Sequence, residues 1–285
     1  KYNVNDAWGV VDIFEKRMAE YAGSKYAVSV DNCTDALFLC LKYLKASGKV
    51  TIPSKTWCSV PCTIKHAGCE IEFEDREWSG AYQLKPYPIW DGAVRMKRGM
   101  FKPNTYHCLS FHIRKHIPIG KGGMILTDST SIAEKAKYLT TQAKDDPIKY
   151  IHHEVGYNFR LTNIQAAIGV AQLEKLSEII KRKSEIHRKY KDGVKHIDGI
   201  NIAEGPKYAK NNNWLNMISI ELGLFKEKPI ELMQRLELSN IQTRPVWALN
   251  HLQKPYNLYQ SYRIEKALEM VDKSLCLPSS YSLLD

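Results

Sequence analysis

The chain has 285 residues, 44% hydrophobic and 25% charged, with 12 Pro and 16 Gly spread along it. That balance excludes a disordered chain or a peptide module and suits one large α/β domain or two coupled ones. The 41 Lys and Arg against 31 Asp and Glu leave a net charge of +10, which fits a nucleic-acid binder or an enzyme whose ligands carry phosphate.

No apolar run approaches the roughly 20 residues of a membrane span, and residues 1–9 show no signal-peptide stretch, so a cytoplasmic protein is expected. Seven cysteines in mostly apolar surroundings, without paired spacing, read as reduced buried thiols.

Helical spacing of Val11, Phe14, Met18 and Tyr21 predicts a first helix. Tyr26-Ala27-Val28-Ser29-Val30 reads as a strand, and 34–43 as a helix with Leu37, Cys40, Leu41 and Leu44 on one face. Val50-Thr51-Ile52 is a short strand ending at Pro53, and a helix over 59–66 is stopped by Gly68. Glu70-Ile71-Glu72-Phe73-Glu74 alternates as a strand does, and Tyr87-Pro88-Ile89-Trp90 is extended and ends on Asp91. Cys108-Leu109-Ser110-Phe111 and Met124-Ile125-Leu126-Thr127 are two more strands around a Gly-rich loop.

From Thr162 a long helix is expected, with Ile164, Ala167, Ile168, Ala171, Leu173 and Leu176 on its buried side and Lys181-Arg182-Lys183 on a solvated one. Beyond the turn signals Asp192-Gly193 and Asp198-Gly199 the pattern becomes strand over 214–222, helix over 229–238 and strand over 241–246. The sum is an α/β fold: a mostly parallel sheet with helices on both faces, plus a small α+β C-terminal domain. The expected boundaries are 1–165 for the large domain, 166–195 for a connecting helix and 196–285 for the small domain.

Ligands of open α/β sheets sit at the carboxyl ends of strands, where Asn32-Cys33-Thr34-Asp35, Thr56-Trp57, Asp91 and Ser110 with Lys115 all fall. Singly, each has an ordinary alternative: Asn32 or Thr34 as a helix cap, Trp57 as core, Asp91 as a turn residue, Lys115 as a surface charge. Together they match the needs of pyridoxal phosphate. A lysine forms a Schiff base with its aldehyde, and a carboxylate keeps the ring nitrogen protonated. A helix start with hydroxyls holds the phosphate, and an aromatic side chain covers the ring. Lys115, Asp91, Thr34 with Ser110, and Trp57 supply these in turn. His107, His112, His116, His152 and His153 fit no standard metal spacing, so no metal is expected.

These stretches resemble the DegT-type sugar aminotransferases, of the fold-type-I pyridoxal-phosphate enzymes. The resemblance runs from Phe14-Glu15 to Pro278-Ser279. Its most specific parts are Ser110-Phe111-His112-Ile113-Arg114-Lys115 with Gly120-Lys121-Gly122-Gly123, and Gly156-Tyr157-Asn158-Phe159-Arg160-Leu161 with Asn163 and Gln165. It implies transfer of an amino group, from glutamate, to a keto group of a nucleotide-linked sugar. It implies that Cys33, Thr34, Trp57, Asp91, Ser110, Lys115 and Asn158 bind the cofactor, with Lys115 and Asp91 catalytic. Arg160, Arg244 and His251 are expected at the substrate, and the asparagine implies a homodimer with shared sites.

Two other functions stay in view: a dehydratase of the same fold, which carries His at the lysine position, and a basic nucleic-acid-binding protein. His116 directly follows Lys115, and the count from Ser110 puts Lys115 in the lysine position. The sequence departs from the family in having Asn32-Cys33-Thr34 for Ser-Gly-Thr, and Val94 where Gln or His is usual. The stretch 76–89 is shorter than in relatives, so the sheet is expected to lack one strand.

Overall fold

The computed structural model describes residues 9–146, 148–206, 209 and 211–285; residues 1–8, read above for a leader, lie outside them. The chain divides into two compact units. One comprises Lys1–Thr51, Ser59–Ile71 and Gly80–Leu176, and the other Ile52–Cys58, Glu72–Ser79 and Ser177–Asp285.

The first unit begins with α1 (Gly9–Ala22), which buries Val11, Phe14, Met18 and Tyr21 as its spacing requires. β1 (Tyr26–Val30) and α2 (Cys33–Tyr43) follow, then β2 (Lys49–Pro53), α3 (Ser59–His66) and β3 (Glu70–Glu74). β2 and β3 pair with each other. α3 ends where Gly68 takes φ +86°, a conformation that costs glycine little. Next come β4 (Tyr82–Leu84), β5 (Ile89–Asp91), β6 (Tyr106–Ser110), β7 (Gly123–Thr127) and α4 (Thr130–Thr140). β8 (Lys144–Asp146) and β9 (Ile151–His152) make a small hairpin before α5 (Asn163–Val194). α5 contains the division between the units.

The α/β class stands, but the sheet is mixed where a mostly parallel one was expected. Its order is β1-β7-β6-β5-β4, and only β5 and β6 pair in parallel. The cause is the length and conformation of the connections. Parallel neighbours need a crossover, usually helical. β4 and β5 are joined by only four residues, 85–88. The connection from β6 to β7 contains no helix and stays paired, Phe111 N–H donating to Gly122 O at 2.8 Å and Ile113 N–H to Gly120 O at 3.2 Å.

The short stretch 76–89 still contributes one strand to the sheet. It is β4, reversed against β5 in the register Tyr82↔Asp91 and Leu84↔Ile89. Backbone bonds in both directions between Thr51 and Lys85 tie its end to β2.

The buried face of α5 differs from the expected one. Ala166, Gly169, Leu176, Ile179 and Ile186 are buried, whereas Ile164 is 77% exposed and Ile168 is 42% exposed. Phe14 sets this rotation: a Cβ on Gly169 would stand 2.7 Å from its ring, so the ring fills the space glycine leaves. Lys183, expected in solvent, is buried; its ammonium donates to the carbonyls of Trp214 at 3.1 Å and Ser279 at 2.6 Å. Burial lowers that amine to about 8.

The second unit is α+β. β10 (Ile200–Ile202), β11 (Asn216–Ile220), α6 (Pro229–Leu238), β12 (Arg244–Pro245), α7 (Lys266–Lys273) and β13 (Ser274–Leu277) follow in order. Its sheet runs β10-β11-β13-β12, all antiparallel. Ile200, Ile218, Ile220, Leu232 and Leu275 form its core. The strand expected over 241–246 shrinks to Arg244–Pro245, in keeping with the missing N–H of proline. Asp75 accepts the N–H groups of Glu265, Lys266 and Ala267 and so caps the start of α7. No helix among the described residues is long and apolar enough to cross a membrane.

Candidate active site

The first unit gathers an amine, a carboxylate, a thiol and a helix start at the carboxyl ends of β1, β5 and β6. Asn32 stands in extended backbone, φ −166°, and its side-chain oxygen accepts the Asp35 N–H at 3.0 Å, capping α2. Cys33 is therefore the first residue of the helix, and the family's glycine is not required here for a left-handed turn. Gly123 is required. A Cβ there would lie 2.3 Å from the Asn32 carbonyl carbon, so β7 lies directly against the capping turn. The first N–H groups of a helix lack intrahelical acceptors, and they favour an anion such as phosphate. Lys121 pairs with Asp31 at 3.0 Å beside this turn. Burial, with Asp31 next to it, pushes the Asp35 carboxyl up to about 7.

Asp91 ends β5 and is 7% exposed. Its Oδ2 accepts the Tyr82 hydroxyl at 2.6 Å and its Oδ1 the Ala93 N–H at 2.9 Å. Burial raises this carboxyl above the usual range, and Tyr82, Ala93 and the charge of Lys115 oppose the rise. Lys115 sits in the turn beyond β6, its N–H donating to His112 O at 2.8 Å. Burial lowers its amine, against the pull of Asp91 and Cys33. The Cys33 thiol is raised by burial and feels both Asp91 and Lys115. Ser110 ends β6, buried, opposite Gly123. The structure thus brings Cys33, Asp91 and Lys115 into one electrostatic neighbourhood, with Thr34 and Ser110 on the elements that build it. The side chain of His116, the neighbour that a one-residue slip would select, is 2% exposed.

The donor set fits pyridoxal phosphate: an amine of lowered basicity for an aldehyde, a buried carboxylate for a basic ring nitrogen, and a capped helix start with hydroxyl residues for a phosphate.

The other expected site residues stand on their own elements. Asn158 is exposed and bridges to Thr141. Arg160 is half-buried in the field of Asp12 and Glu15, two carboxylates of α1. Trp57, Arg244 and His251 belong to the second unit. Trp57 is 53% exposed and meets Trp247 edge-on, with centroids 5.6 Å apart; Trp214 adjoins Trp247 at 6.0 Å. Arg244 is exposed and donates to the Thr243 carbonyl at 2.8 Å. His251 is buried, its Nδ1 hydrogen-bonded to Ser54 Oγ, while the Asn250 amide donates to Thr56 O and Oγ1, both at 2.9 Å. Sequence reading missed Tyr82. The signal was there: a tight turn at Lys85-Pro86-Tyr87-Pro88 pairs residue 82 with residue 91.

A family profile, described as the DegT/DnrJ/EryC1/StrS aminotransferase family, matches residues 9–86 and 93–285. The chain belongs to this family. Membership replaces the nucleic-acid reading that charge alone allowed. The matched segments flank residues 87–92, so the assignment of Asp91 rests on its own geometry. EpsN of Bacillus subtilis (strain 168), named as a candidate pyridoxal phosphate-dependent aminotransferase, is 34% identical over 182 residues, which are 62% of this chain and 46% of EpsN. GDP-perosamine synthase of Escherichia coli O157:H7 is 27% identical over 316 residues, covering 95% of this chain and 85% of the synthase. The fold matches Helicobacter pylori PseC, an aminotransferase involved in pseudoaminic acid biosynthesis. The TM-score is 0.81 at 17% identity, over 99% of this chain and 93% of that one. The expected fold type and family are both borne out.

Proposed function

We propose that this protein is a pyridoxal-phosphate-dependent aminotransferase that moves an amino group from an amino acid, glutamate by resemblance, to a keto group of a nucleotide-linked sugar. The observation that carries this reading is the placing of Asp91 and Lys115 in each other's electrostatic field, at the strand ends that also hold the start of α2, in a chain of an aminotransferase family. The names of the GDP-perosamine synthase and of a UDP-sugar transaminase of Campylobacter jejuni among its relatives support a nucleotide-linked substrate.

Bound pyridoxal phosphate would supply an electrophilic aldehyde and a ring that accepts the electrons of a broken C–H bond. Lys115 would hold the group at its aldehyde carbon and be released when the amino donor takes its place. The freed amine, made less basic by burial, then takes the α-proton and returns it, as general base and acid. Asp91 would receive the ring nitrogen and favour its protonated form. The first N–H groups of α2, with Thr34 and Ser110, bind the phosphate.

Arg244, exposed on β12, binds an acidic group of the substrate. The protein works as a homodimer in which Asn158 reaches the neighbouring copy's site. The exposed apolar side chains of Ile148, Val155 and Ile164 support that reading. Seven cysteines without paired spacing in the sequence support a cytoplasmic location.

The test is direct. Purified protein with pyridoxal phosphate, glutamate and a panel of nucleotide-linked keto sugars should yield an amino sugar and 2-oxoglutarate; no product across the panel, from protein that binds the cofactor, contradicts the transfer. In forced mixed dimers, Lys115→Ala with Asn158→Ala chains should regain part of the activity, and failure would remove the shared site.

A further inference from the structure

The hairpin of β4 and β5 does more than complete the sheet. It sets Tyr82 directly opposite Asp91, as Cα partners of an antiparallel pair. Side chains opposite each other on such a pair share one face. Both are buried, at 3% and 7% exposure, and the Tyr82 hydroxyl donates to Asp91 Oδ2 at 2.6 Å. The Ala93 N–H holds Oδ1. The carboxylate is thus fixed at both oxygens by neutral donors, and each oxygen keeps a lone pair for a further donor.

Resting on the cofactor reading above, we propose that Tyr82 is a positioning residue that pins the Asp91 carboxylate and keeps it ionised to receive the ring nitrogen of the cofactor. A neutral donor suits this task. A cation in its place would compete with a pyridinium for the charge, whereas an apolar residue would leave the carboxylate held at one oxygen and readily protonated. The titratable groups facing Asp91 are Tyr82 from β4, Cys33 from α2, Cys108 from β6 and Lys115 from the turn beyond β6. Of these, Tyr82 donates its hydroxyl to the carboxylate. Loss of its hydroxyl should let Asp91 take up a proton at higher pH.

The experiment measures binding of 4′-deoxypyridoxine 5′-phosphate, which lacks the aldehyde, as a function of pH. Wild type is first shown to bind pyridoxal phosphate. Failure there overturns the functional reading, and this inference with it. In Tyr82→Phe the acid midpoint of analogue affinity should rise by about one pH unit, with affinity above the midpoint within about threefold of wild type. Gln83→Leu removes the bond to Tyr87 O from the same hairpin and should lower stability without moving the midpoint. In an Asp91→Asn background, Tyr82→Phe should have no effect on the curve. A folded Tyr82→Phe protein with an unmoved midpoint overturns the proposal. Should that variant not fold, 3-fluorotyrosine at position 82 keeps the hydroxyl as a stronger donor. It should move the midpoint down by a few tenths of a pH unit, and an unmoved value overturns the proposal equally.

Discussion

Two buried polar clusters, one in each unit, use similar side chains to opposite ends. In the second unit, His251 is bonded to Ser54 and Asn250 spans Thr56 with its amide, so neutral groups saturate one another. In the first, Asp91 is buried and Lys115 half-buried as ionisable groups, the acid pushed up and the amine pushed down. A saturated neutral network holds a segment in place. A buried acid and amine displaced toward each other are costly to keep, and such displacement marks groups that exchange protons or hold a charged ligand.

The comparison breaks first at Lys115. Lys115→Ala should abolish amino transfer, by about ten-thousandfold or more, while the melting temperature stays level or rises, because an amine held down by burial is removed. Asp91→Asn should keep the fold and lose about a thousandfold in rate; steady-state kinetics at saturating cofactor checks this, and full activity would give the ring nitrogen another partner.

His107 tests an intermediate case. It is buried between Trp90, stacked at 5.7 Å, and Phe101, and neither ring nitrogen has a partner. Burial, helped by Arg95 and Lys102, lowers it to about 4. The unfolded chain, with an ordinary histidine near 6.5, binds the proton first as pH falls. Stability is therefore intact above about pH 6.5 and drains away between there and pH 4, by roughly 3 kcal/mol in all. Denaturation of His107→Leu against pH should show a flatter acid limb and equal or greater stability at pH 7. The smallest effect belongs to the neutral network: His251→Ala should cost about 2 kcal/mol of stability, measured by urea unfolding, with the KM for the keto sugar unchanged.

Much of the frame was readable from the chain because its cues are local. Asn32 caps α2, Gly68 ends α3, and alternation marks β3. The serine-to-lysine spacing that proposes Lys115 is local too, but its meaning comes from the family resemblance. What escaped depends on partners distant in sequence. The face of α5 is set by the Phe14 ring over Gly169, so the apolar pattern of the helix alone placed Leu176 inside correctly but Ile164 and Ile168 wrongly. Lys183 looks like any charge in a basic run until two carbonyls of the second unit close on it. β4 is three residues long beside a proline-rich turn, too short for periodicity to register, and only its pairing reveals Tyr82. The Trp57, Trp214 and Trp247 cluster likewise unites residues far apart in the chain.

The central claim is that Lys115 is the residue that bonds the cofactor. Protein loaded with pyridoxal phosphate should be reduced with borohydride, digested and mapped by mass spectrometry. A pyridoxyl group on Lys115 at close to one per chain is the predicted result; stoichiometric labelling of any other lysine, or no label on protein saturated with cofactor, would contradict it.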